Sequence, residues 1–140
     1  MLDLVNQDRA QNGVDPLGLY APASQAAQAH AEDMLIRGYF AHESPEGSDP
    51  GDRLARAQAG PPRAWGENIW TYTAGKLNGV PQPIEDWRAL VARSQNDWMN
   101  SSGHRANLLN PDFTNLGVGI SYDPVRGEVR MVQVFFTPAQ

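Results

Sequence analysis

The chain has no cysteine, so neither a disulfide framework nor thiol chemistry is open to it. Its 140 residues are enough for a core that stands without cross-links, and the missing cysteines therefore do not place the protein in the cytosol. Cations are also scarce. Eleven Lys and Arg face sixteen Asp and Glu, the net charge is -5, and Lys76 is the only lysine. With no cationic excess to displace phosphate counterions, nonspecific nucleic-acid binding is not expected. No apolar run approaches membrane-spanning length. Residues 1–6 show neither the basic segment nor the apolar core of an export leader. The expectation is no transmembrane segment, with any leader absent from this chain.

What is present reads as a single domain over residues 1–140. Eleven Pro and thirteen Gly imply much loop, and four Trp supply core bulk. Residues 2–12 read as a helix with Leu2, Val5 and Arg9 on one face and Gly13 as its stop. Residues 15–18 read as a turn. A second helix is expected over 24–37, capped by Ser24 and stopped by Gly38, with alanines close enough together to demand tight packing. A polar loop over 39–51 leads to a short helix. It starts at Ser48 or Asp49 near Pro50, is anchored by Leu54 and ends about Gly60. Residues 65–72 look extended and 75–83 look like loop. A long helix is expected over 83–100 with Pro83 as its first residue and Ile84, Trp87, Leu90, Val91 and Trp98 buried. Ser102 can cap a short helix carrying His104, Arg105, Asn107 and Leu108. Two strands, 116–122 and 128–137, close the chain as a hairpin around 123–127. The last strand is apolar on both faces, which calls for helices on both sides of the sheet.

Only three histidines exist. His30 falls on an alanine-rich helix face, where packing and hydrogen bonding are the ordinary role. His42 sits in a loop after the aromatic pair Tyr39-Phe40; it is either a turn residue or an imidazole held in place by that anchor. His104 follows Ser101-Ser102-Gly103 and is either a surface histidine or a ligand or acid/base group. Glu67, between Gly66 and Asn68, has close backbone approach on one side and an amide able to brace a neighbouring loop on the other. Neutral imidazoles bind zinc and similar metals, with carboxylates completing or orienting the site. The spacing here is not that of a helix-borne metal motif.

Four segments, in order along the chain, resemble the CAP superfamily of cysteine-rich secretory, antigen 5 and pathogenesis-related proteins, also called SCP domains. They are Asn6-x-x-Arg9; Tyr39-Phe40-Ala41-His42-Glu43-Ser44-Pro45-Glu46-Gly47 with Arg53 downstream; Gly66-Glu67-Asn68-Ile69; and the run from Trp98 to Leu109, with Gly117-Val118-Gly119 and Val132-Gln133-Val134-Phe135 after it. The resemblance spans nearly the whole chain and is most specific from Trp98 to Leu109. It implies an α+β fold, a three-layer α-β-α sandwich around a central antiparallel sheet. It also implies that His42, Glu67 and His104 converge in a cleft that, in many members, holds zinc or another divalent cation. Where eukaryotic members carry a second cleft glutamate, this chain has Ser101, which removes a negative charge and a second carboxylate for acid/base work. In this and in lacking cysteine it looks like bacterial members.

Three functions follow as expectations. The first is an extracellular or cell-envelope binding module for a lipid-like ligand or a surface protein, with an optional metal, zinc or another divalent cation, at His42, His104 and Glu67. The second is a hydrolase with His104 as base, Ser101 or Ser102 as nucleophile and Glu67 as orienter; no Gly-x-Ser-x-Gly elbow accompanies these residues. The third is a structural module of a bacterial surface protein in which the histidines only brace loops.

Overall fold

The computed structural model describes residues 1–57 and 61–139. Among these residues five helices and six strands follow one another as α1 (Leu2–Gln11), β1 (Gly18–Leu19), α2 (Ala21–Arg37), α3 (Pro50–Ala57), β2 (Ala64–Thr73), β3 (Lys76–Leu77), β4 (Val80–Pro81), α4 (Trp87–Met99), α5 (Ser102–Leu108), β5 (Asn115–Asp123) and β6 (Glu128–Thr137). The main sheet has the order β1-β5-β6-β2. Its three long strands are antiparallel, as expected. The two-residue β1 is the exception and pairs parallel with β5, so the sheet is mixed at one edge. Residues 15–18 were expected only to turn; Gly18 instead opens that strand.

Strand alternation sends Ile69, Val132, Val134 and Phe136 to one face, against α2 and Leu54 of α3. It sends Trp70, Leu116, Met131 and Phe135 to the other, against Val5 of α1, Trp98 of α4 and Leu108 of α5. Helices therefore cover both faces, which gives the three layers.

Helix α2 lies on β5 with no space between them. A Cβ on Gly117 would come within 2.5 Å of the Ala23 backbone, and one on Gly119 within 2.5 Å of the Ala27 backbone. Ala23, Ala27 and Ala31 step along the helix four residues at a time, about 6 Å. Gly117, Gly119 and Ser121 step along the strand two at a time, about 6.8 Å. The near-equal repeats keep small residues opposed over the whole contact. Side chains of α2 also satisfy β5 backbone groups beyond the reach of β1. Ser24 Oγ accepts from Val118 N at 3.1 Å, and Gln28 accepts from Ile120 N at 2.8 Å and donates to Ile120 O at 2.7 Å. A helix thus covers a strand edge that would otherwise invite pairing.

Four local expectations give way for identifiable reasons. Ser24 does not cap α2. The helix starts at Ala21 with Pro22 in its first turn, and Ser24 serves β5 instead. The long helix starts at Trp87 rather than Pro83, because Asp86 is its cap, accepting from Ala89 N at 3.0 Å. Residues 80–81 belong to the small β3–β4 hairpin, closed through Asn78 and Gly79, both at positive φ, inside the segment expected to be loop. Finally, Ser101 and not Ser102 is the residue before α5. The expected start of α3 holds: Asp49 and Asp52 exchange backbone bonds at 2.8 and 3.0 Å in a reciprocal cap. Its expected end near Gly60 lies outside the described residues.

Candidate functional site

Edge strand β2 runs between the two helical layers, and its successive residues serve opposite sides. Gly66 lets the backbone approach α5: a Cβ there would meet the Asn107 side-chain oxygen at 2.7 Å. Glu67 turns to the α2–α3 side, where its carboxylate accepts from His42 Nδ1 at 2.8 Å and from Arg53 Nη2 at 2.8 Å. Asn68 turns to the other side and donates to the His104 carbonyl at 3.1 Å, while accepting from Asn107 Nδ2 at 3.0 Å. Ile69 returns to the core. Period-two alternation in one tetrapeptide thus braces two histidines that come from different layers.

His42 is delivered by the loop after α2, and that loop is tied down just before it. His30 Nε2 bonds to the Ala41 carbonyl at 2.9 Å; since a carbonyl only accepts, this nitrogen carries the hydrogen. Tyr39 Oη donates to Asp33, and Arg37 bridges Asp33 and Glu46. Gly47, at φ 86°, turns the loop back so that Ser44 N donates to the Ser48 carbonyl at 2.9 Å. His30 is therefore buried and structural, and burial holds its imidazole below the ordinary histidine range, with the Arg53 charge adding to that.

His104 is delivered by α5. Its Nδ1 meets Ser101 Oγ at 2.9 Å, which is why Ser101 makes no cap bond to the helix backbone. On this side the framework is held by Arg9. Fully buried, it donates to the carbonyls of Asp15, Leu108, Asn110 and Phe113, gathering the end of α5 onto α1. Asn6 clasps Leu17 through both of its amide atoms. Asn6 and Arg9 of the Asn-x-x-Arg segment are thus scaffold.

The two imidazoles differ in charge tendency. The hydrogen bond to Glu67 raises His42 above the ordinary histidine range against the opposing cost of burial. Desolvation lowers His104, and the positive charge on His42 lowers it further, so the two rings feel each other's field. Both have Nδ1 committed to a neighbour, and neither Nε2 has a hydrogen-bond partner among the described residues. His42 keeps 51% of its side chain exposed, so this ring is open to solvent.

Sequence reasoning placed Glu67 beside His104 as an orienter and beside both histidines as a ligand. The geometry uses it otherwise. One oxygen is on His42 and the other on Arg53, and the side chain is 2% exposed. The Glu67–His104–serine arrangement is therefore not assembled: among the described residues His104 has Ser101 and no carboxylate behind its ring. Ser102 is exposed on α5 and makes no hydrogen bond to His104. Among the described residues, no three His, Cys, Asp or Glu side chains form a group able to hold a metal ion. Arg53 stands out in the sequence only as part of a motif; its place on α3, one turn after the capped start and aimed back at the sheet, is visible only in three dimensions. Asn107, which ties α5 to Glu67 O at 3.2 Å and to Asn68, carries no sequence signal beyond its place in the Trp98–Leu109 run.

Comparison with known proteins gives a consistent result. The model of the cysteine-rich secretory protein family, CAP, matches residues 2–136. The uncharacterised protein YkwD of Bacillus subtilis is 36% identical over 119 residues, which are 85% of this chain and 40% of that protein. An extracellular protein of Bacillus anthracis that contains an SCP domain superposes with a TM-score of 0.71 at 36% identity, covering 97% of this chain and 38% of that one. An outer surface protein of Borrelia burgdorferi superposes with a TM-score of 0.79 at 17% identity, covering 99% of this chain and 90% of that one; at that identity it shows the fold alone. The chain thus spans less than half the length of its Bacillus relatives.

Proposed function

The chain belongs to the cysteine-rich secretory protein (CAP) family, and from that membership we propose that it is an extracytoplasmic binding module. In this reading the cleft across β2 takes a lipid-like or protein ligand together with a divalent cation held between His42 and His104. The observation that carries it is the matched treatment of the two rings. Each has Nδ1 held by a side chain, Glu67 of β2 for His42 and Ser101 before α5 for His104, and each leaves Nε2 without a protein partner among the described residues. A buried carboxylate behind an imidazole fixes its orientation and makes it a better donor, as outer groups do in metal sites.

The donor set fits a cation weakly. Two borderline-soft nitrogens suit zinc better than calcium or magnesium, and water must supply the remaining positions. Glu67 lends its charge, already shared with Arg53, and Ser101 lends none. The extracytoplasmic placement rests on the extracellular SCP-domain relative of Bacillus anthracis. No described helix is long and apolar enough to cross a membrane.

Calorimetric titration of chelator-stripped protein with zinc, calcium and magnesium tests the cation. One saturable zinc site, lost in both His42→Ala and His104→Ala, is the expected result. Zinc heats that survive both substitutions, or no zinc binding at all, would remove the cation from the proposal. Solvent extraction of the protein, followed by mass spectrometry, together with pull-down from cell envelopes, tests the ligand. Failure of both would count against a binding role.

A further inference from the structure

The same tripeptide, Asn-Gly-Val, stands at two places in the chain, residues 12–14 and 78–80. Glycine carries no Cβ, so its backbone nitrogen can come close to the side chain of the asparagine before it. Local chemistry is thus nearly equal at the two sites and both are exposed; only their surroundings differ. Asn12 follows α1 and is held at both side-chain atoms. Its Nδ2 donates to Asp8 O at 2.8 Å, and its Oδ1 accepts from Arg105 Nη2 at 3.2 Å. Gly13 N donates to Ala10 O at 3.2 Å, and Val14 N to Arg9 O at 2.9 Å. Asn78 and Gly79 instead form the tip of the β3–β4 hairpin, at φ 54° and 78°. Among the described residues neither the Asn78 side chain nor Gly79 N has a hydrogen-bond partner. The hairpin consists of the pairs Lys76–Pro81 and Leu77–Val80, and Pro81 has no N–H to give. Its base is held, by Gln82 N on Gly75 O at 2.8 Å and by Pro81 packed on Gly127. Its tip opens readily, since a ladder this short is marginal by itself.

We propose that Asn78 is a site of spontaneous covalent modification, at which water converts the side-chain amide to a carboxylate through a cyclic imide. When the tip opens, Gly79 N gives its proton to a solvent base and attacks Asn78 Cγ. The new C–N bond closes a five-membered ring, and the side-chain nitrogen leaves as ammonia. Water then opens the ring at either carbonyl. One opening gives aspartate; the other gives isoaspartate, in which the backbone runs through the former side chain. Water is the only co-reactant, and nothing is oxidised or reduced. The two products differ in consequence. Asp-Gly suits the same tight turn as Asn-Gly, so aspartate keeps the hairpin and adds a negative charge close to Lys76. Isoaspartate lengthens the backbone by a carbon, which a two-residue turn cannot absorb, and it parts β3 from β4.

The test is incubation of the intact chain in mildly alkaline buffer, with a parallel sample in denaturant, followed by peptide mass mapping. The readout is the mass gained when an amide NH2 becomes OH. In denaturant the two Asn-Gly-Val sites are expected to convert at similar rates, because their chemistry is alike. In the folded chain Asn78 is expected to convert at least about tenfold faster than Asn12, whose bonds must break first. Isoaspartate is read separately, by methyl transfer from S-adenosylmethionine with an isoaspartate-specific methyltransferase. The aged wild-type chain is expected to take the methyl group. Asn78→Gln, whose longer side chain cannot close the five-membered ring, is expected to lose most of that labelling. Conversion of Asn12 as fast as Asn78 in the folded chain would overturn the proposal. So would an Asn78 that stays intact while the denatured sample converts, or undiminished labelling of Asn78→Gln.

Discussion

The two faces of the sheet are held by opposite means. On the α2 face the contact is made chiefly by smallness: Gly117 lies against Ala23 and Gly119 against Ala27, backbone against backbone, with Ser24 and Gln28 bonding β5 alongside. On the face covered by α1, α4 and α5 it is made of bulk and directed bonds. Trp98 donates to Ile69 O at 3.0 Å, Trp70 donates to Asp97 at 2.9 Å, and a chain of amides runs from Gln133 through Gln95 to Asp8. Close packing without slack fixes distance; buried hydrogen bonds fix orientation. His42 comes from the first layer and His104 from the second, so the placing of the two rings depends on both methods at once.

Breaking the second layer should cost most. Arg9→Met leaves four carbonyls without their donor and is expected to lose about 3–5 kcal/mol in denaturant unfolding. A loss no larger than that of the surface change Arg88→Met would contradict the role given to Arg9. In the first layer, Gly119→Ala drives a methyl into α2 backbone that cannot rotate away, with an expected loss of about 2–3 kcal/mol. A neutral result would mean that α2 can slide, and the contrast between the faces would fail.

Glu67→Gln is expected to return His42 from its raised position toward the ordinary histidine value, read from its ring protons by NMR. The sign for stability follows. A raised histidine contributes most below its unfolded value near 6.5, and the contribution fades as pH rises through the folded value. The wild-type advantage over Glu67→Gln should therefore narrow from mildly acid to alkaline pH. His30 and His104, both lowered, act oppositely and cost stability as pH falls. The smallest effect is expected from Ser101→Ala, under about 1 kcal/mol in the same denaturant assay, since it removes one partly exposed bond and no cap bond to α5.

The α-β-α order, the closing hairpin and the alanine-driven closeness of α2 were legible because they rest on periodicity and residue size. His42 and Glu67 were legible as neighbours only through the resemblance, since 25 residues separate them. Which residue each side chain would serve was not legible. Ser24 looked like a cap because serine before an alanine run usually is one, yet β5 needed its hydroxyl more. Pro83 looked like a helix start, but Asp86 offered a better one. Glu67 looked free to orient His104 because nothing local shows that Arg53, on a separate helix, reaches it first.

The proposed function requires that His42 and His104, and not His30, share one cation through their Nε2 atoms. The direct measurement is a long-range ¹⁵N–¹H spectrum of the imidazoles during zinc titration at mildly alkaline pH. The account predicts that the Nε2 resonances of His42 and His104 shift together, saturating at one zinc per chain, while those of His30 stay still. Movement of His30, or of either cleft histidine alone, would contradict it.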